Sequence, residues 1–202
     1  VPTSANPQAA YLVAQQLLTC ALDKVETTWA DEPEWNLQRA CVVWGEIAWD
    51  NCECGQLVVS IGRQFPSNEF PFDAGTGIGT GTGAVSRQSR CGSPIWIIEY
   101  EVNILRCAPI QDEHVPEPPP CADLDESARR LAIDAWAVRT GIGCCLASLK
   151  TSLEANGAPS IHDYLIREQI ATGPAGGCAG SSLMLSVGLR NCFCPPDQAG
   201  SS

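Results

Sequence analysis

Residues 95–107 alternate without a break, with Trp96, Ile98, Tyr100, Val102 and Ile104 on one parity and Glu99, Glu101 and Asn103 on the other. Period two in β-branched and aromatic residues marks a half-buried strand, and at about 3.3 Å per residue this one is on the order of 40 Å long. A strand of that length is expected to extend past the core. The blocks on either side stop it from continuing. Residues 66–94 have no periodic pattern and carry the run Gly75, Gly77, Gly79, Gly81 and Gly83, which reads as a long projecting loop. Residues 108–122 include Pro109, Pro116, Pro118, Pro119 and Pro120, a stiff extended linker that fits neither a helix nor a central strand.

The remaining elements follow from similar patterns. Residues 6–25 predict a helix with Asn6 as N-cap, Pro7 in the first turn, and Tyr11, Ala14, Leu18, Ala21 and Val25 on its buried face. Residues 41–49 and 56–65 predict two strands, and the turn-rich segment 50–55 between them suggests a hairpin. Asp123 and Glu126 resemble a capping box ahead of a stripe formed by Leu124, Ala128, Leu131, Ala135, Val138, Ile142, Cys145, Leu149 and Leu153. That helix is expected to bend at Gly141 and Gly143 and to end near Asn156, Gly157 and Pro159. Residues 161–171 and 182–192 read as a second hairpin around a loop at 173–180, although Tyr164, Leu165 and Ile166 also suit a short helix. The order helix, three strands, helix, two strands implies one α+β domain over residues 1–202, with a mainly antiparallel sheet, helices packed on one face, and a flexible tail at 195–202.

Charge narrows the function. The net charge of −11 has the wrong sign for a protein whose affinity comes from neutralising phosphates. No run reaches the roughly 18 apolar residues of a membrane span, and the first residues lack the basic start and apolar block of a signal peptide. Membrane insertion and export through a cleaved leader are therefore not expected. Against this stand 12 cysteines, many for a cytosolic protein and sparser than in a small disulfide scaffold.

Several residue groups invite a chemical reading. The glycine run lacks the Gly-Lys-Ser/Thr of a phosphate loop and has no strand before it or helix after it, so a flexible loop is the better reading. Cys52 with Cys54 and Cys192 with Cys194 could supply four thiolates to zinc, but each pair has one residue between its cysteines where structural zinc pairs usually have two. Disulfides fit better, with Cys52, Cys54, Cys91, Cys107, Cys121, Cys178, Cys192 and Cys194 as candidates and their connectivity open. Cys41 and Cys145 read as small core residues. A thiol nucleophile would need a histidine, and His162 beside Asp163 with Cys144 or Cys145 can be drawn as a triad. The plainer reading makes His162 an edge-strand residue and His114 part of the solvated linker. Glu99 and Glu101 read as a solvated or interface-facing row. No catalytic, cofactor or metal site is expected.

Taken in order, several blocks form a pattern: residues 41–50 (Cys-Val-Val-Trp-Gly-Glu-Ile-Ala-Trp-Asp), 52–60 (Cys-Glu-Cys-Gly-Gln-Leu-Val-Val-Ser), Phe70-Pro71-Phe72, Cys91-Gly92 and the strand ending Leu105-Arg106-Cys107-Ala108-Pro109. The helix from Asp125 into Cys144-Cys145, the Tyr164 segment and Gly176-Gly177-Cys178 continue it. The pattern resembles the tail terminators of long-tailed bacteriophages that infect actinobacteria, over about residues 10–194. The resemblance implies an α+β subunit that forms a ring, a hexamer in that family, on the end of the tail tube. There it would stop polymerisation and meet the head-completion or stopper protein. It also implies assembly in the host cytoplasm, a place in the virion, passage of DNA without specific binding, and no catalytic residues. The glycine-rich loop and residues 193–196 depart from the pattern. The neighbouring head-closure or stopper protein and a secreted cysteine-rich binding module are the alternatives.

Overall fold

The structure, a computed structural model, describes residues 8–46, 55–67, 70, 95–109, 118–152, 160–175 and 177–190. It is α+β: α1 (Ala9–Thr28), a 3-10 turn (Pro33–Trp35), β1 (Arg39–Trp44), β2 (Gln56–Ser67), β3 (Ile95–Cys107), α2 (Cys121–Ser152), β4 (Ser160–Ala175) and β5 (Cys178–Arg190). The sheet order is β1-β2-β3-β5-β4, and every pairing except β1 with β2 is antiparallel. Asn6 and Pro7, the glycine run, most of the proline linker and the 195–202 tail lie outside the described residues.

The even-numbered residues of β3 (Ile98, Tyr100, Val102, Ile104) and the odd-numbered ones of β5 (Leu183, Leu185, Val187, Leu189) share one face with Leu57, Val59 and Ile61. Both helices cover that face, with Ala10, Val13, Ala14, Leu17, Ala21 and Val25 from α1 and Ala137, Val138, Ile142 and Leu146 from α2. Each fully buried Leu or Ile contributes about 1.5–3 kcal/mol relative to exposure. The Tyr100 hydroxyl donates to the Ala10 carbonyl at 2.9 Å, and burial pushes its pKa upward. Of the predicted face of α1, Ala14, Ala21 and Val25 are buried and Leu18 packs partly buried against the core; Tyr11 is exposed, and Val13 and Leu17 are buried beside them.

The predicted first hairpin is incorrect, because β1 runs parallel to β2, with Arg39 opposite Gln56 and Trp44 opposite Ile61. The chain leaves the strand at Gly45, whose φ of +87° suits glycine, and the Gly45 N–H donates to Ile61 O. Gly55 O then accepts from both Gln38 N and Arg39 N. A parallel pair cannot be joined by a tight reversal, and residues 47–54 between the two strands lie outside the described residues.

Other boundaries move for local reasons. β2 continues to Ser67, opposite Ile95, so the predicted loop does not begin at 66. β3 does not extend past the core, since β5 pairs with it from Ile95 to Cys107. Residues 161–171 are strand, and the predicted loop at 173–180 is mostly strand too. Ala175 pairs with Cys178 around Gly177, whose φ is +76°. The helix α2 starts two residues before the predicted cap, with Asp123 N and Leu124 N donating to Pro120 O. Glu126 does not close a capping box, because its carboxylate binds Arg129 and Arg130 instead. By length and composition alone α2 could cross a membrane, but its inner face is core packing for the sheet and α1.

Gly141 and Gly143 do not interrupt α2, which is helical throughout. Gly141 lies where the two helices come closest: a Cβ there would stand 2.7 Å from Cys20 O and 2.8 Å from Lys24 Cβ. At Gly143 the nearest atom would be Ile166 Cδ1 at 3.7 Å, an ordinary contact. The two glycines should therefore respond oppositely to alanine. Gly141→Ala is expected to lose about 1–3 kcal/mol through overpacking, and Gly143→Ala to gain up to about 1 kcal/mol of helix propensity. Denaturant midpoints at unchanged slope would check both.

Candidate functional site

The lower end of the sheet carries a buried ionic lock. Arg106 continues the inward parity of β3, so its guanidinium enters the core, where an unpaired charge would be heavily penalised. Asp134 on α2 meets it with two hydrogen bonds: Arg106 Nε to Oδ2 at 2.8 Å and Nη2 to Oδ1 at 3.1 Å. Both side chains are almost fully buried. Trp29 Nε1, just past α1, donates to Asp134 Oδ1 at 2.7 Å, and Arg106 Nη1 donates to Trp35 O. The Trp29 and Trp35 rings stand 6.4 Å apart, and the Arg130 guanidinium lies 3.3 Å from the Trp35 ring centroid. Charge-assisted, bidentate bonds of this kind are the strong class. The sequence reading missed the lock. Its signals were an arginine at an inward strand position and an aspartate between Leu131 and Val138 on the apolar stripe.

A second polar group occupies the sheet face opposite the helices. Glu99 and Glu101 are not a solvated row. The Glu99 side chain is only 13% exposed and is held by Arg63 at 2.7 Å and Arg167 at 3.3 Å. Glu101 accepts from Ser182 Oγ at 2.6 Å. Both arginines come from irregular stretches, where register shifts at Ile61/Gln64 and Ile166/Gln169 turn their side chains toward β3. The same face has Gln56, Ser60, Asn103, Ser182 and Ser186 at 5% exposure or less. Among the described residues, Gln56 Nε2, Asn103 Nδ2 and Ser186 Oγ, with Thr172 Oγ1 of β4, have no hydrogen-bond partner. Such groups each forfeit about 1–3 kcal/mol.

The predicted cysteines divide. Cys107 and Cys178 stand opposite each other across β3 and β5, and both are disulfide-bonded. Cys121 does not fit the disulfide reading: it is a free, exposed thiol in the first turn of α2. Cys145, read as a core residue, is bonded to Cys20, which was not a candidate. The apolar step pattern hides this bond, because both cysteines sit where α1 and α2 touch. Their Cα atoms are 5.9 Å apart and 125 residues apart in sequence, a closure worth about 4–5 kcal/mol on the chain-entropy account. Cys52, Cys54, Cys91, Cys192, Cys194 and His114 lie outside the described residues. Of the possible triad, Asp163 accepts from Lys150 Nζ at 2.9 Å, which lowers its pKa, and Cys145 is in a disulfide. Among the described residues no group of three or more His, Cys, Asp or Glu is placed to hold a metal ion.

What remains is surface. Trp44 at the end of β1 is 73% exposed, and Trp136 on α2 is 57% exposed with Lys24 Nζ 5.2 Å from its ring centroid. Leu124 and Ile170 are also exposed. The first turns of α2, whose stripe was predicted to be core, extend beyond the sheet, so Leu124 and Ala128 are uncovered. β1 and β4 are the two outer strands. α1 packs on β1 and β2, and α2 on β4 and β5; Trp44 thus ends the outer strand β1, and Trp136 lies on α2 beside Lys24 of α1. No protein-family model matches the chain, and no curated protein matches it.

Two predictions follow from the polar groups. Asp134→Ala strands a buried guanidinium and should lose about 3–5 kcal/mol, whereas Arg106→Met with Asp134→Leu should recover most of that loss; guanidinium unfolding of the three proteins reads it. Glu126 is held down to about 2 from its ordinary 4.5, first by its hydrogen bonds to Arg129 and then by those to Arg130. A lowered folded-state pKa gives stability that is full above the unfolded value and is lost as pH falls toward the folded one. This pairing should therefore persist from pH 7 to 5 and weaken only below about 4.5, as an NMR titration of the Glu126 carboxyl carbon would follow.

Proposed function

We propose that the chain is a structural ring subunit of the phage head-to-tail interface, a tail terminator that caps the tail tube and joins it to the head connector. The observation that carries this reading is the pair of exposed tryptophans on different elements, Trp44 at the end of the outer strand β1 and Trp136 on α2. An isologous dimer uses one patch twice, whereas two different patches suit a head-to-tail contact that closes into a ring. The element order helix, three strands, helix, two strands agrees with the fold that the resemblance implies. The partners in this reading are other copies of the chain, the tail tube protein and the head-completion protein. DNA passes through without specific binding, in keeping with the net charge of −11. The subunit is assembled in the host cytoplasm and retained in the virion.

The disulfides favour a second reading, a secreted cysteine-rich binding module, because Cys20, Cys107, Cys145 and Cys178 are all bonded. Peptide mass spectrometry of purified particles against culture filtrate separates the two, and immunogold labelling of particles separates terminator from stopper.

Native mass spectrometry of the full chain should show one closed ring. Trp44→Glu and Trp136→Glu should each give monomers, and mixing the two variants should give only dimers, since each such pair retains one intact contact and cannot extend. A wild-type chain that stays monomeric at tens of micromolar and does not bind tail-tube ends would overturn the proposal.

A further inference from the structure

A disulfide crosses the α1–α2 contact, and the residue next to one of its cysteines carries a free thiol. Cys20 and Cys145 form the disulfide, while Cys144, the adjoining residue, is a free and exposed thiol. Helix geometry places Cys144 relative to Cys20. Gly141 marks the line of closest approach, since a Cβ there would stand 2.7 Å from Cys20 O. At about 100° per residue, Cys145 lies one turn farther on and about 40° to one side of that line, and Cys144 about 60° to the other. The two cysteines therefore flank the line that faces Cys20. They differ in access: Cys145 is 7% exposed and enclosed by the helix pair, whereas Cys144 is open to solvent.

We propose that Cys144 is an entry thiol, a site at which a small-molecule disulfide reacts so that the enclosed Cys20–Cys145 bond can be made. Thiol–disulfide exchange requires a thiolate to reach a sulfur, and access sets its rate. Starting from the reduced chain, the Cys144 thiolate attacks one sulfur of glutathione disulfide, the S–S bond breaks, and one glutathione thiolate leaves. The Cys20 thiolate then attacks Cys144 Sγ, expelling the second glutathione thiolate and leaving a Cys20–Cys144 bond. Finally the Cys145 thiolate attacks Cys20 Sγ, and Cys144 leaves as a thiolate, restored. Two electrons pass to glutathione disulfide, and the protons given up by Cys20 and Cys145 end on the two glutathione molecules. Run backwards with a reduced thiol, the same steps open the bond. This role does not depend on ring formation.

The test uses the full-length chain, gently reduced, then exposed to glutathione disulfide and quenched with an alkylating agent at intervals, with closure of Cys20–Cys145 read by peptide mapping. Cys144→Ser should slow closure about tenfold or more, while Cys121→Ser, which removes the other exposed thiol of α2, should leave the rate unchanged. The Cys145→Ser variant should accumulate a Cys20–Cys144 disulfide. Closure of Cys144→Ser at the wild-type rate, equal slowing by Cys121→Ser, or free Cys20 and Cys144 in the oxidised Cys145→Ser variant would each overturn the proposal.

Discussion

The pair formed by Arg106 and Asp134 joins more of the chain than any other polar contact described. Through two side chains it ties the end of β3 to the first buried turn of α2. Through the Trp29 indole and the Trp35 carbonyl it fixes where α1 ends and where the connection to β1 turns. Desolvating two charges is expensive, and the pair is a weak source of net stability compared with apolar residues of the same size. Its contribution is to placement. A hydrophobic contact tolerates sliding by an ångström or a rotation of a helix about its axis, whereas a bidentate pair with a third donor has one geometry. A shift of the long helix along the sheet would leave both charges unpaired.

A second constraint lies about two helical turns beyond the lock. At Gly141 the backbones of α1 and α2 come so close that no side chain fits between them, and Cys145 in the next turn carries the covalent link to Cys20. The ionic lock fixes the helix pair against the sheet, and the disulfide fixes the helices against each other. The exposed tryptophans sit on the outer surfaces of this clamped unit, so their separation is set by rigid elements and not by loops. The ring proposed above would need that fixed spacing, because small angular errors at each contact accumulate and prevent closure.

How far the sequence could be read depended on how local the deciding physics was. The alternation from Trp96 to Ile104 and the stripe from Ala135 to Leu149 were legible, because period alone separates strand from helix, and with them the α+β class. The parallel pairing of β1 was not. Its cue was a single glycine, Gly45, while the richer turn chemistry at 50–55 suggested a reversal. The ionic lock was hidden because Arg106 and Asp134 gain meaning only once strand parity and helix face are set against each other. Likewise Glu99 looked like a surface acid, because Arg63 and Arg167 reach it only through irregularities in strand register that a regular alternation does not anticipate. The cysteines show the same limit. Cys145 sat inside an apolar pattern that already explained it, Cys20 lay off the predicted face of its helix, and proximity across 125 residues leaves no trace in spacing.

Those same irregularities give the outer strand β4 a further property. Its pairing with β5 shifts register between Ile161 and Asp163, between Ile166 and Gln169 and between Thr172 and Ala175, so no stretch of regular ladder exceeds four residues. Fibril-forming segments need roughly six or seven residues in regular register. The longest outer strand of the sheet is thus cut into pieces too short for a second chain to zip along it. At high concentration the β4 edge would therefore offer another copy little regular backbone to pair with, and contacts along it would fall to side chains.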